Sequence, residues 1–365
     1  MEQLRASEQG AIVCTMRDLL RYILIPALIG AAIGLTVWTV LSREPTRPGF
    51  AGAVRGAAPA VVNIYTSKRV RPALCERPEF RVICERGRLR NSERVQNSLG
   101  SGVIVGSDGY ILTNHHVVAN ADEVLVAFHN GQATTATIIG TDMETDLAVI
   151  KVQATGLTAI PAGDSEAVEV GDIALAIGNP FGLGQTVSSG IISAKGRMGI
   201  TASPYSDFLQ TDAAINLGNS GGALINASGE LIGINTLIFS RSGGSEGIGF
   251  AIPTNTAMGV LQQLVTNGEV VRGWLGLELS SAPAPGSSTG LRVNAVLYGG
   301  PAYAAGLRVG DLLTAVEGVD AASSVAVSQQ IANTPPGTTL AVKILRNGEL
   351  QDLRAVTVAR PAVRP

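Results

Sequence analysis

The chain is poor in the residues that metal and redox sites draw on, with three cysteines and three histidines in 365 residues. Cys14 stands alone near the start. Cys75 and Cys84 lie close together in a polar, Arg-rich stretch from Arg69 to Arg94, with no His or further Cys at ligand spacing. The expectation is therefore no metal and no cofactor. If the body is exported, Cys75 and Cys84 are a candidate disulfide; in a reducing compartment they stay free thiols. Charge is also sparse: charged residues make up 15 % and the net charge is −2, which gives no reason to expect nucleic acid, a partner that calls for a concentrated basic surface. Aromatics reach only 4 %, and long helical periodicities are few.

Against these shortages stand 44 glycines and a hydrophobic fraction of 45 %, enough to bury a sizeable core. The apolar residues fall in short Val/Ile-rich runs between Gly and Asn/Asp: Val61–Tyr65, Gly102–Val105, Tyr110–Leu112, Glu123–Val126, Leu147–Val152, Ile173–Ile177, Gly190–Ser193 and Leu231–Ile234. That spacing predicts a mainly β, barrel-type domain. Thr254 to Val265 reads as a helix closing it. A second small domain follows from about Arg272. Its strands are expected at 273–279, 291–296, 312–316, 340–345 and 353–358, its helix at Ser324 to Asn333, and a Ser/Pro/Gly loop at Ser280 to Thr289.

One long apolar run exists. Tyr22 to Leu41 carries no charge and is flanked by Arg21 and Arg43. At about 1.5 Å per residue, such a helix reaches about 30 Å, the hydrocarbon thickness of a bilayer. A cleaved signal peptide and a buried core helix are the alternatives, but no small-x-small cleavage site follows the run. The reading is an uncleaved signal anchor at 22–41, after an N-terminal segment at 1–21. A Pro/Gly/Ala/Arg linker at 42–58 leads to the barrel-type domain at 59–268 and a last domain at 271–360.

The chemistry gathers at three places. Gly218-Asn219-Ser220-Gly221-Gly222 places a hydroxyl between glycines that permit a tight turn, whose backbone N–H groups can converge on one point. His116, in Thr113-Asn114-His115-His116-Val117-Val118, follows an apolar strand; His115 is its rival as a base, and His129 lies in a polar turn. Asp146 heads the strand Leu147–Val152, where a carboxylate is costly unless paired; Asp142 reads as a turn residue. A nucleophile, a base and an acid that orients the base are what acyl transfer at an amide requires.

These motifs, with Leu99-Gly100-Ser101-Gly102, Leu209-Gln210-Thr211-Asp212-Ala213 and Gly247-Ile248-Gly249-Phe250-Ala251-Ile252-Pro253, make the chain resemble the HtrA (Deg) serine proteases, and within them the membrane-anchored DegS type. The resemblance implies a chymotrypsin-like double β-barrel followed by one PDZ domain, with an N-terminal transmembrane helix. It selects His116 over His115 and implies the triad His116, Asp146 and Ser220, with Gly218, Asn219 and Ser220 as the oxyanion turn. Ile192, Ile215 and Leu217, near that turn, suggest a preference for aliphatic side chains. The last domain's Trp274, Leu275, Gly276 and Leu277 fall where PDZ modules bind a peptide carboxylate.

The resemblance further implies an activation loop at about Lys195 to Asp207, with Arg197 as its switch. It implies a homotrimer in the bacterial inner membrane, catalytic domains in the periplasm. C-terminal peptides of misfolded outer-membrane proteins would bind the PDZ domain, and a membrane anti-sigma factor would be cleaved. The basic stretch Arg69 to Arg94 departs from that pattern. A DegP-type quality-control protease and a non-catalytic peptide-binding scaffold are the competing functions.

Overall fold

The computed structural model describes residues 24–41, 49–70, 94–180, 184–197, 200–201, 203, 205, 207–238, 244–284 and 287–361. They fall into two units, divided between Gly49 and Phe50. Cys14, Cys75 and Cys84 lie outside the described residues, as does most of the basic stretch.

In the first unit, helix α1 (Ile25–Leu41) is uncharged in both its first and last turns. Its Thr36 hydroxyl donates back to the carbonyls of Ala32 and Ile33, the usual way a hydroxyl is satisfied within an apolar helix. Among the described residues no helix is long and apolar enough to cross a membrane. The start of the expected span, Tyr22, lies outside them.

The second unit opens with a departure from expectation. Residues assigned to a linker form helix α2 (Ala51–Ala57) and a 3-10 turn at Ala58–Ala60. Its small side chains let it lie flat on the body: Ala57 and Ala60 are fully buried, and Ala53 and Val54 pack on the first core.

The first barrel contains β1 (Val61–Val70), β2 (Arg94–Ile104), β3 (Tyr110–Thr113), β4 (Glu123–Ala127), β5 (Ala133–Asp142) and β6 (Leu147–Val152). A short helix, α3 (His115–Val118), follows β3. The second barrel contains β7 (Ile173–Gly178), β8 (Thr186–Ala194), β9 (Leu209–Thr211), β10 (Ala223–Ile225), β11 (Leu231–Ile238) and β12 (Gly249–Pro253). Both close, in the orders β1-β2-β3-β6-β5-β4 and β7-β8-β9-β12-β11-β10, which is one topology used twice. Closure removes the free strand edges that would otherwise invite pairing with other chains.

Strand β6 shows why the runs lack alternation. Leu147, Ala148, Val149 and Ile150 are all at 0 % exposure, because one face fills the barrel and helix α4 (Thr254–Asn267) packs over β5 and β6. Each such large aliphatic side chain contributes about 1.5–3 kcal/mol by burial. Gly268 ends α4 in the left-handed conformation (φ 78°), its N–H returned to the Leu264 carbonyl.

The last domain is a sheet in the order β14 (Leu277–Ala284), β15 (Ser287–Val296), β16 (Leu312–Val316), β18 (Thr339–Arg346), β19 (Glu349–Val356). Strand β17 (Val319–Asp320) pairs with β16, and a separate ladder joins β13 (Gly273–Trp274) to β20 (Val358–Ala359). Helices α5 (Pro301–Ala304) and α6 (Ser324–Asn333) cover it. Of the loop expected at Ser280 to Thr289, residues 280–284 and 287–289 are instead the far parts of β14 and β15, with Ser280 opposite Arg292 and Ala284 opposite Ser287. Backbone pairing overrides the turn-like composition, and the register skips at Pro283, where a residue without an N–H is tolerated in an edge strand. The expected strand 273–279 is broken between β13 and β14, because Gly276 takes φ 76°.

Candidate active site

The first barrel supplies an imidazole and a carboxylate. At the end of β3 the chain turns into α3, presenting His116, while the β5–β6 turn presents Asp146. His116 Nδ1 lies 2.7 Å from Asp146 Oδ2, and the His116 backbone N–H donates to Asp146 Oδ1 at 3.0 Å. Asp146 sits at φ 57°, a left-handed conformation in which Asp and Asn are among the few tolerated side chains. Two donors hold its carbonyl there: the Asn114 side-chain amide at 2.9 Å and the His115 N–H at 3.0 Å. His115 thus serves the acid through its backbone, and its own Nδ1 is buried without a partner.

The second barrel supplies the hydroxyls. Ser220 lies in the loop before β10, and its Oγ donates to the Thr236 carbonyl at 2.9 Å. The Thr236 hydroxyl, on β11, donates to Asp146 Oδ2 at 2.7 Å. One residue therefore contacts both the carboxylate and the serine. Burial pushes the Asp146 carboxyl up, but the hydrogen bond and charge of His116, with the Thr236 hydroxyl, outweigh it and hold the group below the usual carboxylate value.

The turn around Ser220 is clamped from β2. Ser101 N–H donates to the Ser220 carbonyl at 2.8 Å, and Ser101 Oγ donates to the Gly218 carbonyl at 2.7 Å. The clamp leaves no space beyond a glycine at 221: at φ 82°, an added Cβ would stand 2.1 Å from the Ser101 carbonyl oxygen. The Asn219 N–H donates to the Asn216 carbonyl at 3.0 Å, so it is already engaged within the loop.

Other sequence-derived candidates scatter. Ile192 and Ile215 are buried in the second barrel's core, whereas Leu217 is 67 % exposed. Arg197 is tied by its Nε to Gln210 Oε1 at 2.9 Å. His129 Nδ1 lies 3.0 Å from Gln185 Oε1. Trp274, Leu275, Gly276 and Leu277 come together with Leu279, Ser328 and Ile331 around a pocket of about 180 Å³ between β14 and α6. Among the described residues no cluster of His, Cys, Asp and Glu is arranged to hold a metal.

Sequence reasoning passed over the contacts that join the last domain to the barrels. Asp142 is 6 % exposed, and Arg272 reaches it through both terminal nitrogens. Arg360 Nη1 donates to Glu144 Oε1 at 2.8 Å, and both arginines lie over the Tyr205 ring at 5.1 Å. Asp142 ends β5 and Glu144 lies in the turn that follows and leads to Asp146, so the last domain grips the segment carrying the acid.

Paired β-barrels with an imidazole, a carboxylate and a serine hydroxyl at their seam define a trypsin-like serine peptidase. Comparison agrees: residues 100–234 match the model of the trypsin-like peptidase domain and residues 257–357 that of the PDZ domain. The chain is 39 % identical over 368 residues to the serine endoprotease DegS of Escherichia coli, covering 94 % of this chain and 98 % of that protein. It is 40 % identical over 342 residues to a probable periplasmic DegP-like serine endoprotease of Pseudomonas putida, covering 87 % of this chain and 72 % of the relative. A solved structure of the HtrA-type protease AlgW with a tripeptide superposes with a TM-score of 0.75 at 45 % identity, covering 87 % of this chain and 99 % of that one. The chain belongs to the HtrA family of serine endoproteases.

Proposed function

We propose that the chain is a membrane-anchored periplasmic endoprotease of the DegS type, in which Ser220 is the nucleophile, His116 the general base and Asp146 the orienting acid. The observation that carries this reading is the continuous chain of contacts from His116 through Asp146 to Thr236 and Ser220. Catalysis requires the Ser220 hydroxyl to leave the Thr236 carbonyl for His116 Nε2. His116 then takes its proton as Oγ attacks the substrate carbonyl and later returns a proton to the leaving amine, while Asp146 holds the tautomer. With the Asn219 N–H engaged elsewhere, the amides of Gly218 and Ser220 are the donors for the oxyanion.

Thr236→Val tests the contact chain at its least obvious link. It keeps the carbonyl that Ser220 uses and removes the hydroxyl on Asp146. The expected loss in kcat is about tenfold, with the folded state retained, measured on a fluorogenic peptide.

The contacts of Arg272 and Arg360 support a gate: a C-terminal peptide of a misfolded outer-membrane protein, bound at the PDZ groove, alters the turn bearing Asp146 and releases activity toward a membrane anti-sigma factor. Arg197, in the loop of Lys195 to Asp207, is the proposed relay, and a homotrimer the proposed assembly. Residues 22–41 anchor the chain in the inner membrane. Identity with DegP-like proteases favours broad quality-control cleavage as the second reading. Titrating C-terminal peptides separates the two: a rate raised many-fold by peptide supports the gate, and a rate indifferent to a peptide that demonstrably binds removes it. Recovery of the chain in the soluble fraction after carbonate extraction of membranes overturns the anchor.

A further inference from the structure

Strand β14 lies at the edge of its sheet, so the side facing α6 is open to an added strand. Leu275, Leu277 and Ile331 line the pocket at its head, whose 180 Å³ suits one apolar side chain. Two residues close the rim from outside this groove: Tyr205, from the protease loop before β9, and Arg360, just past β20. The Arg360 N–H is fixed to the Arg272 carbonyl at 2.9 Å. Its guanidinium reaches across to Glu144 at 2.8 Å, and Glu144 Oε2 also accepts from Ser203 Oγ at 2.8 Å.

A carboxylate entering this pocket meets a guanidinium that already holds a carboxylate. Two arginines stand near, and their pairings differ in kind. Arg272 uses two nitrogens on Asp142, with the two side chains 12 % and 6 % exposed. Arg360 uses one nitrogen on Glu144, and both side chains are 29 % exposed. Forked, desolvated pairs are the costly ones to break, whereas single, partly solvated ones exchange readily.

We infer that Arg360 determines specificity for a free C-terminus: the terminal carboxylate of a bound peptide takes the guanidinium from Glu144, so binding and release of the Glu144 tie are one event. The inference rests on the PDZ-groove reading above. Its ligand is a peptide with a free carboxylate and an apolar last residue. The tie it breaks lies in the turn two residues before Asp146.

The test compares a fluorescent peptide ending in valine as the free acid with the same peptide as the C-terminal amide, by anisotropy on the full-length chain. The wild type is expected to prefer the acid about tenfold or more, and Arg360→Gln to lose most of that ratio, on the scale of one charge-assisted hydrogen bond. Arg360→Lys, which keeps the charge and guards against misfolding of the first variant, is expected to keep part of it. Glu144→Gln removes the competitor and is expected to tighten the acid several-fold while leaving the amide unchanged. An unaltered acid-to-amide ratio in Arg360→Gln overturns the inference and returns carboxylate recognition to the backbone amides. An unaltered acid affinity in Glu144→Gln overturns the exchange. Failure of both peptides to bind the wild type overturns the groove reading itself, a separate and recognisable result.

Discussion

Replacing Ser220 by alanine is expected to lower kcat/KM by about four to six orders of magnitude, with labelling by a fluorophosphonate abolished and the fold intact. The substitution removes one hydrogen bond to the Thr236 carbonyl and leaves the Ser101 clamp on the turn untouched. His116→Ala is expected to fall in the same range, and the double variant little further, because the groups act as a unit. Asp146→Asn is the more discriminating change. Asn tolerates φ 57° as Asp does, so the backbone should hold while the imidazole loses its acceptor and its tautomer, costing about 10⁴ in kcat. Equal labelling of the wild type and Ser220→Ala would sink the nucleophile assignment.

The second large effect concerns stability. Asp142 is 6 % exposed in the intact pair; Arg272→Ala leaves its carboxylate with only Thr145 donating to it, and an unpaired buried charge of this kind costs about 3 kcal/mol or more. For domains of this size that is a fall in Tm of about 6–12 °C. The pH dependence separates this cause from lost packing. In the wild type, burial raises the Asp142 carboxyl and Arg272 more than reverses it, so the folded value lies below the unfolded one. Stability from the pair is thus present above the unfolded carboxylate value, near 3.9, and is lost as pH falls through the lower folded value. Without Arg272 only the upward push of burial and the Thr145 bonds remain. The variant's deficit is then expected to shrink as pH falls toward the carboxylate range, where Asp142, without its guanidinium, takes up a proton more readily than in the wild type. Adding Asp142→Asn to Arg272→Ala should recover part of the loss. A Tm for Arg272→Ala within a degree of the wild type at pH 7 refutes the account.

The groups of the site were legible where their signals are local. His116 follows a strand, Asp146 precedes one and Ser220 sits among glycines, so each stands out within a few residues of its own segment. The residues that organise them carry no local mark. Thr236 reaches Asp146 across 90 positions, Ser101 reaches Gly218 across 117, and Arg360 reaches Glu144 across 216. A threonine within an apolar β11 reads as an ordinary strand residue, and Asp142 as a turn, until the barrels close. Strand pairing likewise decided what composition left open at Ser280 to Thr289. Burial decided it at Ala51–Ala57, where alanines read as linker until something packs on them. Ile192 and Ile215 belong to the second barrel's core, which the turn's sequence alone does not reveal.

The repeated strand order of the barrels carries a consequence for how such a molecule fails. Imidazole and carboxylate ride on one barrel, and the serine and the threonine that joins them ride on the other. Neither half owns a working set, so the seam behaves as a clutch: a small slip between two well-folded halves disengages the machinery without melting either. Loss of activity on warming should therefore run ahead of loss of β-structure. A mild agent that loosens the seam would idle the protein reversibly, long before it denatured.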